Sequence, residues 1–483
     1  VTAPAEGSRG AVANRSTAAV PIASIVGFLV CVEIASGTIQ GYFTPLFTDI
    51  ARHLNLRDAE VNWFEAAQLA LSAIAVPVLS KLGDLHGHRR ILLASTVVAA
   101  LACWGVALAP TPVAFAAAWA LVGVYVVWLP MEVAIVHRRT AGDDRRTRLA
   151  SSVLVAALET SVIASALLAG ALATRLSMTA LLAVPAVVVT LSIAAIWWGV
   201  PAMPPAGTGR FDGAGTAWLT LGLGAIMGGL MLLRVLGSAS PWPWLLLAVG
   251  ALLGIAFARV ELRVETPLVD LRVLGSRRQW PIQVVAMLFG ASVLGAQIPL
   301  STFARTDPAV AGYGLGATAS GVSLIIGAYV VSLLLGALCV PLLTRWLPAR
   351  GTMVVGCALV AVGYALFLPS HGSLVAVLAN MLLAGLGSGM LVALLPAVAA
   401  QYAPPTHTAV ATGMTNAIKT VGGAFASCAY ALALGGAGLE GPAANHAPLS
   451  GYLTVWAICA GTAGVAGTLL LLTRRPRPGA DRE

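Results

Sequence analysis

The feature that most constrains this chain is a repeated one. Apolar runs of about twenty residues recur fourteen times, separated by short polar breaks. A helix of that length matches the hydrocarbon thickness of a bilayer. The runs lie at 20–45, 60–81, 90–110, 113–136, 149–173, 178–200, 215–235, 242–260, 281–304, 316–343, 351–369, 373–400, 407–434 and 450–472. They do not alternate polar and apolar residues as the strands of a membrane β-barrel do. Charged residues make up only 10% of the sequence, against about a quarter in soluble domains. The expected fold is an all-α membrane protein.

Basic residues fix the expected orientation. Loops on the side of the two termini hold 22 lysines and arginines, and those on the other side hold 4. Such an excess marks the cytoplasmic face. Both termini are therefore expected in the cytoplasm, with the chain crossing the cell inner membrane many times. The formal charge of +9 is explained by these loops and calls for no nucleic-acid partner. The six cysteines all lie in apolar runs without metal-ligand spacing, and read as inert core thiols. Residues 1–18 are polar and small, without the pattern of a cleavable leader.

The runs divide into six, two and six. This gives an N-terminal half at 20–200, a linker with two extra helices at 201–280, and a C-terminal half at 281–473. A disordered cytoplasmic segment at 1–19 and a cytoplasmic tail at 474–483 complete the expected division. The linker opens with Pro201-Ala202-Met203-Pro204-Pro205-Ala206-Gly207, a breaker-rich stretch.

Between the second and third runs lies Ser80-Lys81-Leu82-Gly83-Asp84-Leu85-His86-Gly87-His88-Arg89-Arg90. So dense a polar stretch between two oily helices reads as a tight hairpin turn, with glycines permitting the bend. It resembles the loop after the second helix of the major facilitator superfamily, Gly-x-Leu-x-Asp-Arg-x-Gly-Arg-Arg. Leu82, Asp84, Gly87, Arg89 and Arg90 match that pattern, while Ser80, Leu85 and His88 depart from it. Further on, Phe211-Asp212-Gly213-Ala214-Gly215 and Glu261 through Pro267-Leu268-Val269-Asp270-Leu271 resemble the linker of the fourteen-helix drug:proton antiporters of that superfamily. The resemblance covers nearly the whole chain. It implies two pseudo-symmetric six-helix bundles around a central cavity, two extra helices at the side, and Asp84, Gly87, Arg89 and Arg90 in a cytoplasmic gating loop.

Ionisable groups inside a bilayer are costly and mark function by default. The runs hold Glu33, Glu65, Glu132, Glu159 and Lys419. Glu33 and Glu159 lie about halfway along the first and fifth runs, where a carboxyl loads and releases a proton as water access alternates. The competing reading is a carboxylate fixed in a bond that holds helices together. Glu132 ends the fourth run and is expected to form a gating salt bridge with the Arg138–Arg148 loop. Lys419 reads as a counter-charge for a carboxylate or an anchor for an anionic substrate group. A lysine locking the two halves together is the structural alternative. Asn416 sits three residues before Lys419, on the same helical face.

Asn416, Lys419, Gly422 and Gly423 also fit the Asn-x-x-basic arrangement and glycines of the resembling family. Thr38, Ile39 and Pro45 match its first-helix pattern, which places Gln40 with Asn416 and Lys419 at the substrate cavity. Three features of that family are missing. Ser36 stands where its first-helix pattern opens with an acid. Trp119-Ala120-Leu121-Val122, before Gly123, lacks its fourth-helix arginine, and Ser165-Ala166-Leu167-Leu168-Ala169-Gly170 keeps only the last glycine of its fifth-helix motif.

No phosphate-binding Gly-x-x-x-x-Gly-Lys-Ser/Thr loop is present, which excludes the usual ATP-driven pump. The short loops offer no soluble catalytic domain. The expected function is proton-coupled export of a small amphipathic organic compound by alternating access, as a monomer without cofactor or metal. The alternatives are a facilitator or importer of a metabolite, and a lipid-handling scaffold or membrane enzyme.

Overall fold

The computed structural model describes residues 22–140, 143–202, 204–205, 211–265, 267–402, 408–436 and 444–473. The expected disordered segment at 1–19, the tail at 474–483 and part of the linker's proline-rich entry fall outside the described residues. The described chain is helical, with no strand among its elements.

Each apolar run becomes helix, and the helices are numbered here in chain order. The first half comprises α1 (Leu29–Tyr42), α2 (Val61–His86), α3 (His88–Leu108), α4 (Pro112–Arg139), α5 (Asp144–Leu172) and α6 (Met178–Gly199). A side pair follows, α7 (Gly213–Leu236) and α8 (Pro241–Glu261). The rest are α9 (Trp280–Arg305), α10 (Ala319–Leu343), α11 (Ala349–Ala365), α12 (Leu374–Tyr402), α13 (Thr408–Leu434) and α14 (Leu449–Leu472).

Among the described residues, 12 of these helices are long and apolar enough to cross a membrane. The expected count of fourteen is therefore not reproduced in full. The first run breaks at Gly27, whose φ of 47° lies outside the helical region and separates Ile22–Val26 from α1. The helix α11 is 17 residues long, short for a span.

The hairpin between α2 and α3 is tighter than expected. Helix runs through the polar stretch as far as His86 and resumes at His88, leaving Gly87 as the only break. Gly87 has φ 95°, a conformation that other residues rarely adopt.

Two large apolar cores result, beside a small one where α2, α7 and α13 meet. The first is built mainly from α1 to α6 and the segment before α9, the second mainly from α9 to α14. Each contains an aromatic nest. Phe43 and Trp119 have ring centroids 4.8 Å apart in the first, and Phe367 and Trp456 are likewise 4.8 Å apart in the second. The side pair packs chiefly on itself through Gly222, Gly229 and Gly250, which let its two backbones approach. Its outer surface carries Trp242, Trp244, Leu252 and Ile255, all exposed.

Candidate functional site

The site begins with two helix contacts that require glycine. Gly37 and Gly41 of α1 lie against the backbone of α5 at Leu158 and Val162. Two serines of α5 complete that seam. Ser161 donates to the Glu33 carbonyl at 3.4 Å and Ser165 to the Gly37 carbonyl at 3.2 Å. In the other half, Gly290 of α9 meets the Lys419 carbonyl and Gly422 of α13 meets the Met287 carbonyl. Small residues thus fix the depth at which Glu33, Glu159 and Lys419 project.

The interior ionisable groups follow one another in a chain of mutual influence. The carboxyls of Glu33 and Glu132 lie within hydrogen-bonding reach of each other. Both residues are 0% exposed, and no other donor reaches their oxygens. Two buried carboxylates at such range cannot both be ionised at tolerable cost. A hydrogen bond between them forms once one carries a proton. Glu159 stands next in the line, within electrostatic reach of Glu33 on one side and of Lys419 on the other. Glu159 and Lys419 are each half-buried, and they come from opposite halves.

Glu132 occupies a different setting from the one expected of it. It faces Glu33 in the interior and makes no bond to an arginine of the Arg138–Arg148 loop. The cause is local: residues 123–127 tighten to a 3₁₀ turn within α4, which resets the phase of the helix below it. Gly123 opens that turn, pressed against α2, where the Ser72 hydroxyl bonds its carbonyl at 2.8 Å.

Asn416 is half-buried one turn before Lys419, and Thr420 bonds its carbonyl at 3.0 Å. Gln40 shares the Glu33 face of α1, seven residues on. It is exposed and donates to the Ser36 hydroxyl at 3.3 Å, with no hydrogen bond to Asn416 or Lys419.

The gating-loop residues form their own cluster. His88 sits 3.3 Å from the Asp84 carboxylate and partners that acid. Arg89 donates to the Trp197 carbonyl at 2.6 Å, tying the turn to the end of α6, while Arg90 is exposed. Gly87 is the turn itself.

Three features escaped the sequence reading. Tyr329 of α10 lies within electrostatic reach of Glu159, and its buried hydroxyl has no geometrically formed hydrogen bond. A tyrosine in an apolar helix carries no signal of its own. The second feature is a set of ties between the halves at the end holding residues 44–60, 301–313 and 445–447. Arg305 bonds Asp49, Asp58 faces His446 at 3.0 Å, and Ser301 donates to the Thr44 carbonyl at 2.6 Å. The third is Arg234 at the end of α7. It lies 3.9 Å from Glu60 in the first half and donates to the Gly435 carbonyl at 2.9 Å in the second. Arg234 and Arg305 stand out in the sequence as bases away from the basic side, and that is the clue that would have found them.

Among the described residues, no group of His, Cys, Asp or Glu is arranged to hold a metal ion.

Comparison with known proteins agrees with the architecture. The family model described as Major Facilitator Superfamily matches residues 29–427. The chain is 27% identical over 447 residues to a cephamycin export protein of Amycolatopsis lactamdurans, covering 90% of this chain and 88% of that one. It is also 23% identical over 313 residues to a uridine/deoxyuridine transporter of Lactococcus lactis, covering 63% and 64%. Among solved structures, a nucleoside transporter matches with TM-score 0.65 at 16% identity, over 93% of this chain and 100% of the other. A peptide transporter matches with TM-score 0.66 at 12% identity, over 94% and 97%.

Proposed function

This chain belongs to the major facilitator superfamily and is a multi-pass membrane transporter rather than an enzyme; on that premise we propose that it exports a small amphipathic organic compound of the drug or antibiotic kind by exchange for protons. The observation that carries the reading is the pair of buried carboxyls Glu33 and Glu132, followed by half-buried Glu159 and Lys419. Transport against a gradient needs a source of free energy, and a membrane carboxyl that is loaded on one side and emptied on the other supplies it. The set reaches from one six-helix half to the other, so rocking of the halves changes its surroundings. Similarity to a cephamycin exporter over most of both chains supports an antibiotic-like cargo and the outward direction.

The fourteen-helix arrangement belongs to the same reading. It counts the broken first run and the short α11 as spans beside the 12 helices of sufficient length. The excess of basic residues in the loops on their side supports cytoplasmic termini and an inner-membrane location. We read the protein as a monomer, with Asp84, Gly87, Arg89 and Arg90 stiffening the cytoplasmic hairpin.

A second reading is a facilitator or importer of a metabolite. Its supports are the missing arginine before Gly123, the missing fifth-helix proline and the similarity to a uridine/deoxyuridine transporter. Proteoliposomes with an internal pH dye separate the two. The export reading expects proton movement coupled to movement of the compound, lost in Glu33→Gln. Compound movement that leaves internal pH unchanged in the native chain establishes the facilitator instead.

A further inference from the structure

The two stretches that open and close the side pair meet in the structure, each through one acid. Asp212 precedes the first turn of α7, and its Oδ1 accepts from the Gly215 amide at 2.8 Å. Glu261 ends α8, and its Oε2 accepts from the Val269 amide at 3.0 Å. The remaining oxygens, Asp212 Oδ2 and Glu261 Oε1, come together beside Gly215. A Cβ on Gly215 would lie 2.5 Å from the first and 2.2 Å from the second, so the two oxygens are at most 4.7 Å apart. The residues are 8% and 1% exposed. Among the described residues no donor reaches either oxygen.

Two carboxylates at that range and away from water repel too strongly for both to be ionised. One proton held between them turns the repulsion into a hydrogen bond. The other charges nearby have their own settings. Arg272 donates to the Leu262 carbonyl at 2.6 Å, and Asp270 accepts from the Arg272 and Val273 amides. Arg259, Arg263 and Glu265 are exposed. Lys81, Asp84 and His86 lie at the same end of α2, which packs on α7, and Asp84 is held by His88. The described part of α13, also packed on α7, carries no charge before Lys419 near its middle.

Glu261 also fastens the chain where it crosses between the halves. Leu268, Val269 and Leu274 are buried in the core of the first half, although they belong to the stretch that leads into α9 and the second half. Leu219 of α7 and Phe257 of α8 pack on the same core. We propose that Asp212 and Glu261 form a proton-sharing latch, which holds the crossover at residues 268–274 against the first half and releases it when the proton leaves. With both acids ionised, Glu261 moves away from Asp212 and its bond to the Val269 amide is lost. The latched state holds a proton that the released state lacks, so latching weakens as pH rises. It sits at the opposite end of α7 from Arg234, so the side pair is fastened at both ends. On the orientation that the basic loops support, the latch answers to cytoplasmic pH. It depends neither on the cargo nor on the protons of Glu33 and Glu132.

Hydrogen–deuterium exchange of the purified full chain in lipid nanodiscs, read by mass spectrometry over residues 268–274, reports the latch directly. Rates are corrected for the intrinsic exchange at each pH. In the native chain the protection of this segment should fall at least about tenfold between about pH 6 and about pH 9. Peptides around Trp456, in the core of the second half, should keep theirs, which separates unlatching from unfolding.

Asp212→Asn and Glu261→Gln each keep an oxygen for the Gly215 or Val269 amide and offer an N–H in place of the shared proton. Both variants should retain the protection seen at acid pH and lose its fall with rising pH. Gly215→Ala puts a methyl group where Glu261 Oε1 lies, and should leave the segment unprotected at both pH values. The latch is overturned by native protection that does not change with pH, by a fall that survives in either amide variant, by amide variants unprotected throughout, or by native protection in Gly215→Ala.

Discussion

At the scale of single residues, the decisive group is the Glu33–Glu132 pair. Four carboxyl oxygens without an outside donor form a poor structural lock and a good place for one proton. A structural role needs a hydrogen bond, which glutamine also supplies; a proton store needs an acid. In proteoliposomes, Glu33→Gln and Glu132→Gln should each reduce compound-driven proton flux at least about tenfold. Exchange of labelled compound without a gradient should persist in both. Native proton flux in Glu132→Gln would leave Glu33 as the sole carrier. The double variant Glu33→Gln/Glu132→Gln should melt no lower than the native chain, because it removes two buried acids without leaving a charge unpaired. A fall of several degrees would make the pair part of the scaffold. The sequence marked each acid by its rarity in an apolar run. It did not reveal that two of them meet, because helix phase decides that. The phase of α4 is set by a 3₁₀ turn at residues 123–127 that no periodicity announces.

At the scale of helices, close approach between backbones places the functional groups. A Cβ on Gly37 or Gly41 would collide with carbonyl groups of α5, and one on Gly290 with the Lys419 carbonyl. Exchanging glycine for alanine inside a helix gains about 1 kcal/mol of propensity, while forcing atoms into a packed contact costs about 1–3 kcal/mol. The neighbour here is backbone, which cannot swing aside, so the collision wins. Gly37→Ala and Gly41→Ala should each lower the melting temperature and also slow transport, since α1 carries Glu33. Gly224→Ala and Gly254→Ala are the controls. A Cβ at either position meets nothing within 4 Å, and both variants should be neutral or slightly stabilised. The same contrast explains how far the sequence could be read. Apolar runs found all fourteen helices of the bundle and side pair, since length and hydropathy are local properties; short helices such as Phe47–His53 lie outside them. The break at Gly27 and the shortness of α11 were missed, because apolar composition runs straight through both. Which glycines serve as contacts depends on the partner helix, and a lone sequence does not name it.

At the scale of the whole molecule, alternating access requires one end of the bundle to part. The end holding residues 44–60, 301–313 and 445–447 is tied by Asp49–Arg305, Asp58–His446 and Ser301–Thr44. Tyr313 adds a bond to the Ala447 carbonyl, and burial pushes its hydroxyl up to about 12. That donor therefore keeps its proton at any physiological pH. Arg234 differs from these ties because it belongs to the side pair and reaches both halves, Glu60 and the Gly435 carbonyl. Opening this end must release at least one of those contacts, so α7 acts as a strap on the moving parts. A charged hydrogen bond of this kind contributes about 1.5–3 kcal/mol, enough to change a two-state population roughly tenfold or more. Spin labels at His53 and Val310, on opposite halves, report the separation directly. Arg234→Ala should add a longer-distance component to the distribution, and Arg305→Ala should add a similar one. If Arg234→Ala leaves the distribution unchanged while Arg305→Ala broadens it, the side pair rides on the bundle without restraining it. The tie between the halves is then carried by the Asp49–Arg305 contact and its neighbours.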